Sequence, residues 1–295
     1  MMPGDPVGDP GIDPVVDPAF DPINAGAMTV VVDELENPEL TGLLARFAAL
    51  GYVPSVDRQG LMDDLIENLI STGVWAKLDV LKVYACGQEA SSLLNWIADA
   101  NNSLAVNFSS SDFSVDAGFT SDGLTKWINS GYNPSLGTNY LLNSASFGVW
   151  YLNDVAASNR FSHGVTIPLA EKTWLKPGSD TIPGAWALNS GIQAQASATQ
   201  SGTSGFHLVT RNNATNCQYY KDGVLKLNAS QASTTIPNGF MYELGHNYKD
   251  ATPYNVRDIT EFQIAVSFAG GGLTAQNVTD LNDNLNTYLS GLGAI

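Results

Sequence analysis

Charge is scarce along this chain, and positive charge is scarcest. Asp, Glu, Lys and Arg make up 14% of its 295 residues, where about a quarter is usual in a soluble protein. The 13 Lys and Arg are outnumbered by 29 Asp and Glu, giving a formal net charge of −16. Without a basic stripe there is little to neutralise phosphates and release counterions, so nucleic acid is disfavoured as a partner. Attraction to an anionic membrane is disfavoured on the same ground. No apolar run is long enough to cross a bilayer, so no membrane insertion is expected. The first 30 residues carry acid, no base and no apolar core segment, so no secretory signal is expected either. Work outside a cell would then need another exit, such as lysis.

Cysteine and histidine are equally sparse. Cys86 and Cys217 are too few for a disulfide scaffold; free thiols in the core are expected, with one long-range disulfide left open. His163, His207 and His246 stand singly, without His-x-x-x-His spacing, and no metal site is expected. The nucleophile elbow Gly-x-Ser-x-Gly is missing, and its nearest text, Gly-Thr-Ser-Gly at 202–205, reads as a turn. A glycan hydrolase built on a β-sandwich needs two carboxylates facing each other across a groove. Glu243, Glu261 and Asp258 are the acids near strands that could serve, but no strand carries acids alternating along one face. Solvated or satisfied acids are the plainer reading. No catalytic residue and no cofactor is therefore expected.

What the chain has in plenty is 28 Gly, along with Asn, Ser and Thr, the composition of turn-rich β architecture. It also has a short repeat near its start. Asp-Pro recurs every four residues, at Asp5-Pro6, Asp9-Pro10, Asp13-Pro14, Asp17-Pro18 and Asp21-Pro22. Proline at this density forbids a helix, and the segment has too little apolar surface to fold alone. Two readings stay open: a disordered acidic leader, or an arm that orders against a neighbouring subunit. The strict period exceeds what a spacer requires, which speaks for the assembly arm. Calcium is disfavoured there, because the prolines keep the carboxylates from converging.

An apolar stretch at 25–32 fits an edge strand or more of the arm. Helix signals follow. Asn37-Pro38-Glu39 joins a cap, a proline at the first position and an early acid, ahead of Leu40, Leu43, Leu44 and Phe47 at helical spacing. A second helix is predicted over 57–70, with Leu61, Leu65, Ile66, Leu69 and Ile70 inward. Residues 74–84 fit a short helix through Trp75, Leu78 and Leu81 or a strand, and 88–98 is a further helical candidate.

From Leu104 the hydrophobic period becomes that of strands. Strands are predicted at 105–108, 113–115, 124–129, 145–152, 165–169, 185–188, 205–210, 241–244 and 261–269, with a loop or edge at 191–205. Between 217 and 227, Asp222-Gly223 supplies the residues a tight hairpin needs. Phe262, Ile264, Val266 and Phe268 alternate and should share one face. Thr274 is placed to cap a last helix, with Asn277 at the capping-box position, and that helix should cover an edge or end of the sheets. The chain divides on this reading into an arm (1–36), a helical docking module (37–100) and a β-sandwich or jelly roll with a C-terminal helix (101–295).

Three stretches resemble a group of phage and prophage structural proteins with a concanavalin A-like, laminin G-like jelly roll. They are Gly118-Phe-Thr-Ser-Asp-Gly-Leu-Thr-Lys-Trp-Ile-Asn-Ser-Gly-Tyr-Asn-Pro134, Tyr219-Tyr-Lys-Asp-Gly-Val-Leu225, and the run from Ile264 through Gly-Gly-Gly-Leu-Thr to Leu281. The helical preface ending in Trp75-Ala-Lys-Leu-Asp-Val-Leu81 is similar to theirs too, so the resemblance covers roughly 57–295. It implies a mainly β jelly roll and a place on a tail appendage, baseplate, head fibre or other virion surface. Laminin G-like relatives sometimes bind calcium and sugar at the rim of one sheet, but no such ligand set matches here. The Asp-Pro arm lies outside the pattern.

Aromatic residues are numerous enough for a sugar platform or a subunit interface: Trp127, Trp150, Tyr151, Trp174, Trp186, Tyr219 and Tyr220. Neighbours on a strand face opposite ways, which leaves one of Trp150/Tyr151 and one of Tyr219/Tyr220 free to be exposed. The expected function is a non-enzymatic bacteriophage virion structural protein, a surface, tail or decoration component held by its arm and assembled in the host cytoplasm. Its expected partners are other virion proteins and copies of itself, with a trimer expected from virion geometry. The alternative is an adhesion protein that binds a host receptor or surface glycan; a glycan depolymerase is less favoured.

Overall fold

The structure, a computed structural model, describes residues 37–155, 160–167, 171–178, 183–195, 202–248 and 255–295. The Asp-Pro arm and the stretch at 25–32 lie outside these. Residues 36–295 form one compact unit.

The helices begin where their caps are. Asn37 accepts from the Glu39 amide and opens α1 (Pro38–Ala49), while Ser55 accepts from the Arg58 amide and opens α2 (Val56–Ser71). The buried side of α2 is Met62, Leu65, Ile66 and Leu69, a slight rotation of the predicted face that leaves Ile70 exposed. The helical candidate at 88–98 shortens to one turn, α3 (Glu89–Ser92). The ambiguous run at 74–84 resolves as a 3-10 turn at Trp75–Lys77 followed by a strand, β1 (Leu78–Val83). It becomes a strand because a partner for it exists far along the chain.

Further strands follow in order: β2 (Leu104–Val106), β3 (Phe113–Ser114), β4 (Gly118–Thr120), β5 (Trp127–Asn129), β6 (Ala145–Tyr151), β7 (His163–Thr166), β8 (Lys172–Lys176) and β9 (Ala185–Ser190). Then come β10 (Ala194–Gln195), β11 (Gly205–Arg211), β12 (Asn216–Lys221), β13 (Val224–Ser230), β14 (Tyr242–Glu243), β15 (His246–Tyr248), β16 (Val256–Arg257) and β17 (Gln263–Gly270). The last helix is α4 (Ala275–Gly291). The strand predicted over 124–129 starts only at Trp127, because the Asp122 carboxylate binds the amides of Leu124, Thr125 and Lys126 and holds them in a turn.

These strands form two sheets, so the mainly β sandwich expected from the sequence is the fold. The first runs β13-β12-β11-β6-β17-β4-β3, with β1 also on β17; the second runs β10-β9-β8-β7-β14-β5-β2, with β15 on β7 and β16 on β15. Their facing sides make the main core, including Phe119, Ile128, Phe147, Val149, Tyr151, Leu175, Trp186, Val209, Tyr219 and Ile264.

The other side of the first sheet is apolar as well. Leu81, Val83, Trp150, Phe206 and Leu208 point away from the second sheet by alternation. A β-bulge between Ile264 and Val266 turns Val266 and Phe268 the same way, so these two do not share the face of Phe262 and Ile264 as expected. All seven are buried. They lie under the inward faces of the helices, of which α4 contributes Val278, Leu281, Leu285 and Leu289. The result is three layers: helices, first sheet, second sheet. The outer face of the second sheet is left as the face without a helix among the described residues.

Candidate functional site

Strand alternation decides what reaches that outer face. In β8, Thr173 and Leu175 turn inward, so Lys172, Trp174 and Lys176 turn outward, and in β9 Ala185 and Ala187 do the same. Opposite Trp174 in β7 stands Gly164. Its φ is +131°, and a Cβ there would lie 2.2 Å from the Thr173 carbonyl and 2.5 Å from the Trp174 Cα. Only glycine lets the two strands approach at this point. Trp174, Ala185 and Ala187 form a small apolar cluster separate from the main core, with Phe161 packed on it.

A cleft of about 460 Å³ opens over this cluster. Its aromatic wall is continuous. The ring of Phe161 lies 4.1 Å from that of Trp174, His246 meets Phe161 edge-on at 5.1 Å, and Tyr248 meets His246 edge-on at 6.1 Å. The polar side is set by strand pairing: Thr166 lies opposite Lys172 across β7 and β8, and Gln193 comes from the segment following β9. β15 runs parallel to β7, with Tyr248 beside Thr166. From the strand paired to β15, the Arg257 guanidinium stands 3.7 Å over the Tyr248 ring, a cation–π contact. Asp258 Oδ2 lies 3.3 Å from His246 Nδ1.

The cleft therefore gathers four rings, with Trp174 only 3% exposed beneath Phe161. With them are the Gln193 amide, the Thr166 hydroxyl, the Asp258 carboxylate and two cations, Lys172 and Arg257, in a chain that has 13 basic residues in all. Flat apolar faces beside a few convergent polar groups are what a small polar ligand with one apolar side requires. A second cleft, of about 300 Å³, lies on the first sheet between Asn212, Asn216, Gln218, Asn228 and Thr274. It offers amides but no ring.

The aromatic residues expected at a contact surface part company. Trp174 is the floor of the cleft. Trp127 is on the same outer face, with its ring 4.1 Å from that of Tyr242, and is 7% exposed. Trp150 and Tyr151 do face opposite ways, but neither is exposed: Trp150 packs on Phe206 in the layer under the helices, and Tyr151 stacks on Phe262 between the sheets. Tyr219 and Tyr220 follow the same pattern, with Tyr219 stacked on Trp186 in the main core and Tyr220 buried on the helix side. The expectation of one exposed partner in each pair fails because the first sheet is covered on both faces. Phe161, Gln193, Tyr248 and Arg257 were not legible as a set, since they come from four separate segments joined only by the sheet.

The three acids also separate. Glu243 lies between the sheets, 1% exposed, accepting from the Tyr84 hydroxyl and, at 2.6 Å, from the Ser267 hydroxyl. Burial pushes its carboxyl up and the nearby Lys82 ammonium down, each toward neutrality. Glu261 is exposed beside Gly123, and Asp258 alone borders the cleft. Cys86 and Cys217 are free and buried, and burial pushes the Cys217 thiol up to about 12. Among the described residues no three His, Cys, Asp or Glu side chains converge as a metal site, and no helix is long and apolar enough to cross a membrane.

Neither a protein-family model nor a curated protein sequence matches the chain. Solved structures with a similar course include domain 4 of AbnA, an extracellular GH43 arabinanase from Geobacillus stearothermophilus in complex with arabinotriose, at 13% identity and a TM-score of 0.44, over 70% of this chain and 98% of that one. Trypanosoma rangeli sialidase in complex with sialic acid is similar at 9% identity and a TM-score of 0.47, over 78% of this chain and 39% of that one. The binding domain of botulinum neurotoxin serotype D is similar at 12% identity and a TM-score of 0.43, over 72% of this chain and 51% of that one. This chain spans about half or less of the length of the last two. At such identities and scores the likeness carries no functional conclusion.

Proposed function

We propose that this protein binds a carbohydrate, without turning it over, in the cleft on the outer face of the second sheet, and that it does so on the surface of a virion. The observation that carries the binding reading is the cleft itself: the Trp174, Phe161 and Tyr248 rings beside Gln193, Thr166, Lys172 and Arg257. Ring faces take the C–H side of a sugar, and amide, hydroxyl and cationic groups take its oxygens. Binding without turnover is supported by the acid inventory, since Asp258 is the one carboxylate among the described lining residues and it faces His246. A two-carboxylate mechanism has no second member there. The virion placement is supported by the resemblance of 118–134, 219–225 and 264–281 to phage structural proteins. Repeated copies on a particle would turn a weak site into tight attachment.

A glycan array on the purified protein, followed by calorimetric titration of the best ligand, tests this. The double variant Lys172→Ala/Tyr248→Ala should keep the wild-type circular dichroism spectrum and a cooperative melt and bind at least tenfold more weakly, about 1.4 kcal/mol, and the ligand should be recovered intact. An array without a hit, or a variant that binds like wild type, contradicts the cleft.

A further inference from the structure

The cleft makes no use of the Asp-Pro repeat, whose period suits an extended strand. Along a strand, side chains and backbone amides both alternate, so residues of one parity share a face and an edge. Pro6, Pro10, Pro14, Pro18 and Pro22 are all even-numbered, and all five Asp are odd. Extended, the repeat would lose an N–H at every second position of its even edge and keep every one on its odd edge. Its even face would be apolar, with Ile12, Val16 and Phe20 between the prolines, and its odd face would carry the carboxylates. Such a strand can bond to one sheet edge and refuse a second.

Among the described residues, an edge of matching character is open on β13. It ends the first sheet, and its seven residues are exposed along most of their length, with Val224 57% and Leu225 45% exposed. An uncovered edge of this length is a template for pairing. On its outer face Gln218 stands opposite Asn228, and these two with Asn216 line the amide cleft. On its inner face Leu227 and Ala229 are only partly buried against the main core.

We propose that residues 12–20 of a second copy add to β13 as an extra strand, odd edge inward. Asp13 and Asp17 then lie over the amides of Asn216, Gln218 and Asn228. Ile12, Val16 and Phe20 extend the sandwich interior beside Leu227 and Ala229. Pro14 and Pro18 face outward and stop further addition, so the contact closes on one arm per edge. Extended, residues 5–22 would span about 60 Å against about 23 Å for seven strand residues, a length suited to bridging between copies. The proposal rests on the chain being an assembly component, and it is independent of the sugar cleft.

Hydrogen exchange on the full chain and on a chain lacking residues 1–24, with light scattering alongside, tests it. Amides in 224–230 should exchange at least tenfold more slowly in the full chain at concentrations where it associates. The protection should vanish on truncation and return when a synthetic peptide of residues 5–24 is added. Proline placed on the odd edge (Val15→Pro) should abolish the protection, while proline on the even edge (Val16→Pro) should leave it. Equal exchange with and without the arm overturns the proposal. So do equal effects of the two proline variants, or protection of a monomer independent of concentration. Glycan binding by the truncated chain, measured separately, keeps failure of the arm apart from failure of the cleft.

Discussion

His163 and His207 have become core residues of the sandwich rather than ligands. His163 stacks on Phe147, and His207 accepts from the Tyr219 hydroxyl at Nδ1 (2.8 Å) and donates from Nε2 to the Thr203 carbonyl (2.9 Å). Burial pushes both imidazoles down to about 3. A group with a depressed folded value stabilises fully above its unfolded value, near 6.5, and loses that contribution as pH falls toward 3. Ring resonances of both residues should therefore stay flat from pH 8 to pH 4 while stability to urea declines below pH 6.5; titration of either ring near 6.5 would contradict the burial. The sequence did show these histidines to be isolated. It could not show that Gly164, between His163 and Val165, makes room for the strand carrying Trp174, because that depends on which strand lies alongside.

At the scale of elements, local chemistry was the legible part. The Asp222-Gly223 hairpin forms with φ of +50° and +71°, and the Thr274 capping box forms as the spacing required. Thr274 Oγ1 accepts from the Asn277 amide, and Asn277 Oδ1 accepts from the Thr274 amide. Thr274→Ala should cost about 1 kcal/mol, read as a lower urea midpoint with an unchanged slope; no change would mean that α4 is held by packing alone. Illegible elements were those made by partners. β1 exists because β17 runs antiparallel to it, with Lys82 opposite Ser267. β8 was missed altogether: Lys-Thr-Trp-Leu-Lys reads as too polar for a central strand. Lys172 is half-buried at the cleft on the outer face, while Lys176, on the same face, is buried.

For the whole molecule, the covering of one sheet by helices decides where function can sit. It buries Trp150 and Tyr220, which alternation alone would have exposed. It leaves the second sheet to present the aromatic cleft. The sandwich was readable from strand spacing, but the third layer was not, since an amphipathic helix does not state which sheet it will cover. A bound sugar should therefore sit on this second-sheet face. Chemical-shift mapping with the best array ligand tests it most directly. Shifts are expected at the Trp174 indole and at Lys172, Tyr248 and Arg257, with the Trp150 and Trp186 indoles unmoved. Shifts confined to Asn216, Gln218 and Asn228, or no shifts at saturating ligand, would contradict it.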